Sequence, residues 1–159
     1  MTERSITHTT FAIERHYPAS PARVFAAFAT FDAKIRWTDD PDYISDGGES
    51  EFNFRVGGRE RFGGKAPDGT GYRYDALYYD IVPGQRIVYS YEMYEESARI
   101  SVSVATIELV SADGGTRLTY TEQGAFLDGL ARPEDREEGI TEQLDNLVKI
   151  LRAEAGEGD

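Results

Sequence analysis

The feature that most constrains this chain is the spacing of its breaks between residues 72 and 123. Four segments there alternate apolar and polar residues: "YRYDALYYDIV" (72–82), "RIVYSYEMY" (86–94), "RISVSVATIELV" (99–110) and "TRLTYTEQ" (116–123). Only "PGQ", "EES" and "SADGG" punctuate them. Parallel neighbours need a crossover of roughly a dozen residues or more, so breaks this short predict an antiparallel meander. Alternate residues of a strand share a face, which groups Ile87, Tyr89, Tyr91 and Met93. The same rule sets Leu118, Tyr120 and Glu122 on one side. Segment 72–82 is ambiguous, because Tyr72, Tyr74 and Tyr78 oppose Leu77, Tyr79 and Ile81. A bulge would reconcile the two sets.

Upstream, "ITHTTFAIERHY" (6–17) predicts a first strand with Phe11, Ile13 and Tyr17 on one face and His8, Thr10, Glu14 and His16 on the other. In "SPARVFAAFATFDAKIRW", Ser20 suits a helix N-cap and Pro21 the first helical position, followed by the stripe Val24, Phe25, Phe28. A second short helix carries "DAKIRW" and stops before Pro41. "EFNFRV" alternates as a strand, with Phe52, Phe54 and Val56 on one face, and "GGRERFGG" reads as its hairpin partner before a turn at "PDGTG". Past the meander, Ile140, Leu144, Leu147, Val148 and Leu151 form the apolar stripe of a long helix over about residues 134–153. Pro133 and the acidic run "EDREE" suit its N-terminal end.

With no internal repeat or linker, residues 1–159 are expected to form one domain. The element order predicts an α+β fold, a curved antiparallel sheet of about six or seven strands closing on the C-terminal helix, with two short helices after the first strand. A curved sheet around one helix leaves interior space, and enclosed clefts of this kind hold small molecules.

Composition removes several chemistries. With no cysteine there is no disulfide, thiolate nucleophile or Cys-based metal site. His8 and His16 lie on one strand about 26 Å apart at roughly 3.3 Å per residue, so they cannot share a metal, and no metal is expected. A net charge of −12 opposes nucleic-acid binding. The cluster Arg55, Arg59, Arg61 and Lys65 reads as a solvated sheet edge. "GGKAP" lacks the spacing of a phosphate loop and no helix follows it. No apolar run reaches the roughly 18–20 residues of a membrane span and no secretion signal is visible, so a cytoplasmic location is expected.

The whole pattern resembles the START-related (SRPBCC) superfamily, and within it bacterial proteins similar to the activator of heat-shock-protein ATPase. The resemblance rests on "ERHYPASPARVFAAF", "IRW", "FRVGGRERF" with "PDG", "YYDIVPGQRIVYSYEM", "ATIELVSADGGTRLTYTEQGAF" and "EGITEQLDNLVKIL", in that order along nearly the whole chain. It implies the helix-grip fold, a seven-stranded sheet around the last helix with a ligand cavity between them. It also implies that Trp37 stands at the cavity mouth. Two departures stand out: Thr38 where relatives often carry a second aromatic, and Gly139-Ile140 where they often have Gly-Trp. Gly139 is explained either by close approach of the helix to sheet or ligand or by a frayed first turn.

The expected function is binding of a small apolar or aromatic molecule, without a tightly held cofactor. The expected ligand-binding residues are Trp37, Phe54, Tyr74, Tyr89, Tyr91, Tyr120, Glu122, Ile140 and Leu144. Glu122 admits three readings: a catalytic acid, a ligand hook, or the place where its strand runs out into water. The first would make the protein a cyclase, dehydratase or hydrolase on a polyketide-like substrate, with Asp128 as one candidate second carboxylate. A buried Glu122 calls for a partner, for which the tyrosines, Arg55 or Arg99 are candidates. A chaperone-stimulating role follows only from the family name, and nothing in the sequence opposes a homodimer.

Overall fold

The computed structural model describes residues 4–38, 44, 45 and 50–156. The chain runs β1 (Ile6–Tyr17), α1 (Pro21–Ala29), α2 (Phe31–Thr38), β2 (Ile44–Ser45), β3 (Glu51–Phe52), β4 (Arg59–Lys65), β5 (Gly71–Val82), β6 (Arg86–Glu95), β7 (Ala98–Ala112), β8 (Gly115–Leu127) and α3 (Pro133–Gly156). Seven strands lie across one antiparallel sheet in the order β1-β8-β7-β6-β5-β4-β2, and β3 shares with β2 the outer edge of β4. The meander is therefore β5 to β8, and β1 closes it by pairing along the whole length of Ile6–Tyr17 with β8.

Local chemistry accounts for the elements. The Ser20 side chain accepts a hydrogen bond from the Arg23 amide and Pro21 opens α1. On β1, Phe11, Ile13 and Tyr17 are buried and His8, Thr10, Glu14 and His16 exposed. A bulge between Tyr78 and Asp80 resolves the parity of β5. Tyr79 is the extra residue, 57% exposed, and beyond it Ile81 packs against the core. α3 lays Leu144, Leu147, Val148 and Leu151 on the inner face, and its backbone comes nearest β1 and α2.

Three expectations need correction. The segment 51–56 is not one strand: after Phe52 the chain turns, with Arg55 N–H bonded to Asn53 O and Gly58 N–H to Arg55 O. Gly57 sits at φ +82°, and an added Cβ on Gly58 would lie 2.1 Å from Asn53 O. Val56 is consequently 59% exposed, while Phe52 and Phe54 stay half-buried. β8 does not end near Glu122 but continues to Leu127, with Phe126 buried beyond it. Gly139 makes no close approach, because nothing among the described residues lies within 4 Å of where its Cβ would be. Pro41, expected to stop α2, lies outside the described residues.

A candidate site on the hydroxyl-rich end of the sheet

Strand register sorts the inner face of the sheet into lateral rows. One runs Ile81, Ile87, Ile107, Tyr120, Ile13 across β5, β6, β7, β8 and β1. This end meets the leucines of α3, and Tyr17 donates its hydroxyl to Leu144 O at 3.1 Å. The next rows change character: Tyr78, Tyr89, Ala105, Glu122; then Glu60, Ala76, Tyr91, Ser103, Gly124; then Phe62, Tyr74, Met93, Ser101, Phe126. Small residues on β7 (Ser101, Ser103, Ala105) leave depth that long tyrosines from β5, β6 and β8 enter. The sheet thus has an aliphatic end and a hydroxyl-rich end.

Glu122 lies in the middle of the second zone with no exposure. Its Oε1 accepts hydrogen bonds from the hydroxyls of Tyr91 and Tyr120, both at 2.6 Å. Its Oε2 accepts one from Ser103 at 2.8 Å and stands 3.5 Å from Arg136 Nη1. Ser103 can turn that way because position 124 is glycine; a Cβ there would meet Ser103 Oγ at 2.8 Å. Arg136, from the first turn of α3, also donates to Tyr91 Oη at 3.1 Å and Ser101 Oγ at 2.8 Å. Its guanidinium lies 5.5 Å from the centroid of Tyr91 and 5.1 Å from that of Phe126. Burial and paired charge make these bonds strong.

A second buried acid mirrors the first. Glu60, 2% exposed, accepts from Lys34 Nζ at 2.7 and 3.0 Å and from the Tyr78 hydroxyl at 2.5 Å. Lys34 comes from α2 and lies 6.0 Å from the Phe52 ring and 5.9 Å from that of Tyr89. Tyr89 feels both acids and the neighbouring hydroxyls of Tyr91 and Tyr120. Burial, followed by the neighbouring carboxylates and phenols, pushes Tyr74, Tyr89 and Tyr120 well above the ordinary tyrosine range. Burial does the same for Tyr78, reinforced by Glu60, and for Tyr91, where Arg136 opposes it.

The structure brings Tyr74, Tyr89, Tyr91, Tyr120 and Glu122 into one cluster; Tyr74 and Tyr91 have ring centroids 5.2 Å apart. Phe54 joins at its flank, 5.1 Å from Tyr78 in an edge-to-face contact. Ile140 is half-buried against the core. Trp37 stands apart, packed edge-to-face on Phe28 with its indole N–H donated to Ala27 O at 3.0 Å. Leu144 belongs to the aliphatic end. Arg55 and Arg99 do not reach Glu122: Arg55 is exposed, and Arg99 pairs with Glu92 and Tyr94. Asp128 instead holds the residues just before β1, accepting from the Arg4 guanidinium and the Ser5 amide. In the basic cluster, Arg61 pairs with Asp75 while Arg55, Arg59 and Lys65 are exposed. Two open hollows, one over Val102, Val104 and Gln123 and one beside Arg4, Ile6 and Asp128, lie away from the tyrosine cluster.

Sequence reasoning missed Glu60, Lys34, Arg136, Ser101 and Ser103. Two carried a readable signal: Glu60 shares strand parity with Phe62, and Arg136 extends the stripe of Ile140, Leu144 and Leu147 by one turn.

The comparisons agree with this architecture. A protein from Rhizobium loti is 48% identical, with 91% of this chain and 98% of that one covered at a TM-score of 0.83. An uncharacterized protein from Rhizobium leguminosarum is 41% identical over 96% and 99%, with a TM-score of 0.88. A Chromobacterium violaceum protein shares 25% identity over 89% and 96%, with a TM-score of 0.74. No curated protein matches the chain. The family described as Activator of Hsp90 ATPase homolog 1-like protein matches residues 18–152, and the chain belongs to that family.

Proposed function

We propose that the protein binds a small apolar or aromatic molecule between the hydroxyl-rich end of the sheet and the N-terminal half of α3. One observation carries this reading: rings lead without interruption from the surface to the buried tyrosines. Phe31, 39% exposed, stacks on Phe62 at 5.5 Å; Phe62 stacks on Tyr74 at 6.3 Å; Tyr74 meets Tyr91 at 5.2 Å. Phe52, Phe54, Phe62, Tyr74 and Met93 are all half-buried, so an apolar rim meets water at this end. A bound ligand would cover that rim.

Turnover finds less support. Glu122, the acid such chemistry would use, has both oxygens engaged by the protein, and both histidines face outward on β1.

Native mass spectrometry of freshly purified protein tests the reading directly, with a co-purifying small molecule as the expected result. Thermal stabilisation by 2-methylnaphthalene, reduced in the Ile140→Trp variant while that variant keeps its own stability, locates binding under α3. If Ile140→Trp instead loses about 1–3 kcal/mol by overpacking and does not alter binding, no ligand space exists there.

A further inference from the structure

The hydroxyl-rich end has a charge balance that bears on what it accepts. Two acids and two bases lie within it, Glu60 with Lys34 and Glu122 with Arg136, and their formal charges sum to zero. Each acid already takes several donors from the protein, so neither presents an unused charge. The other polar side chains of these strand rows are tyrosine and serine hydroxyls, and burial keeps the phenols protonated. A ligand carboxylate drawn to Arg136 would come up against Glu122, and one drawn to Lys34 would meet Glu60. A ligand cation would meet Lys34 and Arg136 at the same rings that would otherwise attract it. Either ion would lose its hydration without gaining an unpaired counter-charge.

Not every hydroxyl in the cluster is committed. Tyr91, Tyr120 and Tyr78 donate to the buried acids, whereas the Tyr74 hydroxyl has no hydrogen bond among the described residues. Its ring is packed between Phe62 and Tyr91 on the inner face of the sheet, in the row that also holds Met93 and Ser101. Its half-buried position puts it between the apolar rim and the interior.

We propose, building on the binding reading above, that the ligand is electrically neutral and carries a hydroxyl or carbonyl oxygen bonded to Tyr74 Oη, with its apolar body against the rim rings. A phenol, alcohol or ketone meets this description; a fatty acid, an aromatic carboxylate or an amine does not.

The test is a matched series titrated by calorimetry at pH 7.5 into the full-length protein: 2-naphthol, 2-naphthoate and 2-methylnaphthalene, with 1-octanol, octanoate and octylammonium as a second body shape. The neutral oxygen compounds should bind about tenfold or more tighter than the charged members of the same shape. In Tyr74→Phe, which loses no hydrogen bond to a described residue, 2-naphthol should fall to the affinity of 2-methylnaphthalene, while the latter is unchanged. Charged members binding as well as or better than neutral ones would overturn the neutrality inference and leave the binding reading standing. An unchanged 2-naphthol affinity in Tyr74→Phe would overturn the role of Tyr74. If no member of either shape binds, the binding reading fails and this inference fails with it.

Discussion

At the scale of single residues, the acceptor positions of Glu122 are occupied by the protein itself. Its removal should therefore register first in stability. Glutamine offers one acceptor oxygen, enough for the two tyrosines, and turns an amide donor toward Arg136 and the Ser103 hydroxyl. Glu122→Gln also leaves Arg136 without its counter-ion. A loss of about 3 kcal/mol is expected, read as a lower urea midpoint at unchanged slope, against about 1 kcal/mol for Ser103→Ala. A Glu122→Gln protein within about 0.5 kcal/mol of the parent would show that the cluster contributes little. The sequence placed Glu122 on the correct face through Leu118 and Tyr120, but it could not show that four groups from β6, β7, β8 and α3 converge on it. Those contacts depend on small residues at 101, 103 and 124, whose brevity has meaning only once strands are in register.

Among elements, α3 is held to α1 and α2 by Glu154, which takes Arg23 at 2.5 Å and Arg36 at 3.2 Å. The bond from Arg23, more than that from Arg36, lowers the Glu154 carboxyl below its ordinary value of 4.5. A carboxylate depressed in the folded state contributes stability that is present above the unfolded value and lost as pH falls through the folded one. The parent should therefore exceed Glu154→Gln in melting temperature at neutral pH, with the difference intact down to about pH 4.5 and vanishing below it. A difference that persisted in strong acid would need another cause. Within α3, Gly139 is exposed with open space around its Cβ position, so Gly139→Ala should stabilise the protein by about 0.5–1 kcal/mol in chemical denaturation. Element boundaries were legible wherever alternation or a 3.6-residue stripe had a marked end. The turn at 53–58 was not, because Phe52, Phe54 and Val56 keep the parity of a straight strand until Gly57 adopts a positive φ. The excess residue in β5 was legible because it put two sets of large apolar side chains out of phase.

For the whole molecule, seventeen basic and 29 acidic residues leave a charge of −12 on a compact fold. Self-repulsion of that size is screened over about 10 Å at 0.1 M salt. The melting temperature should thus rise between about 10 mM and 150 mM sodium chloride, since the surface ion pairs that salt weakens contribute little each. A fall would mean that bridges such as Arg15–Asp145 outweigh the global repulsion.

The position of Glu122 within a long pair of strands has a further consequence, for the fidelity with which the sheet assembles. β7 and β8 share a ladder running from Ser101–Phe126 to Ala112–Gly115, and long antiparallel pairs can close one step out of place. A step of one residue would turn Glu122 outward and leave Arg136 facing Thr121 or Gln123 instead of a carboxylate. The acid therefore acts as an alignment key: it makes neighbouring mispairings poor ones, so that the docking of α3 selects one closure of the hairpin.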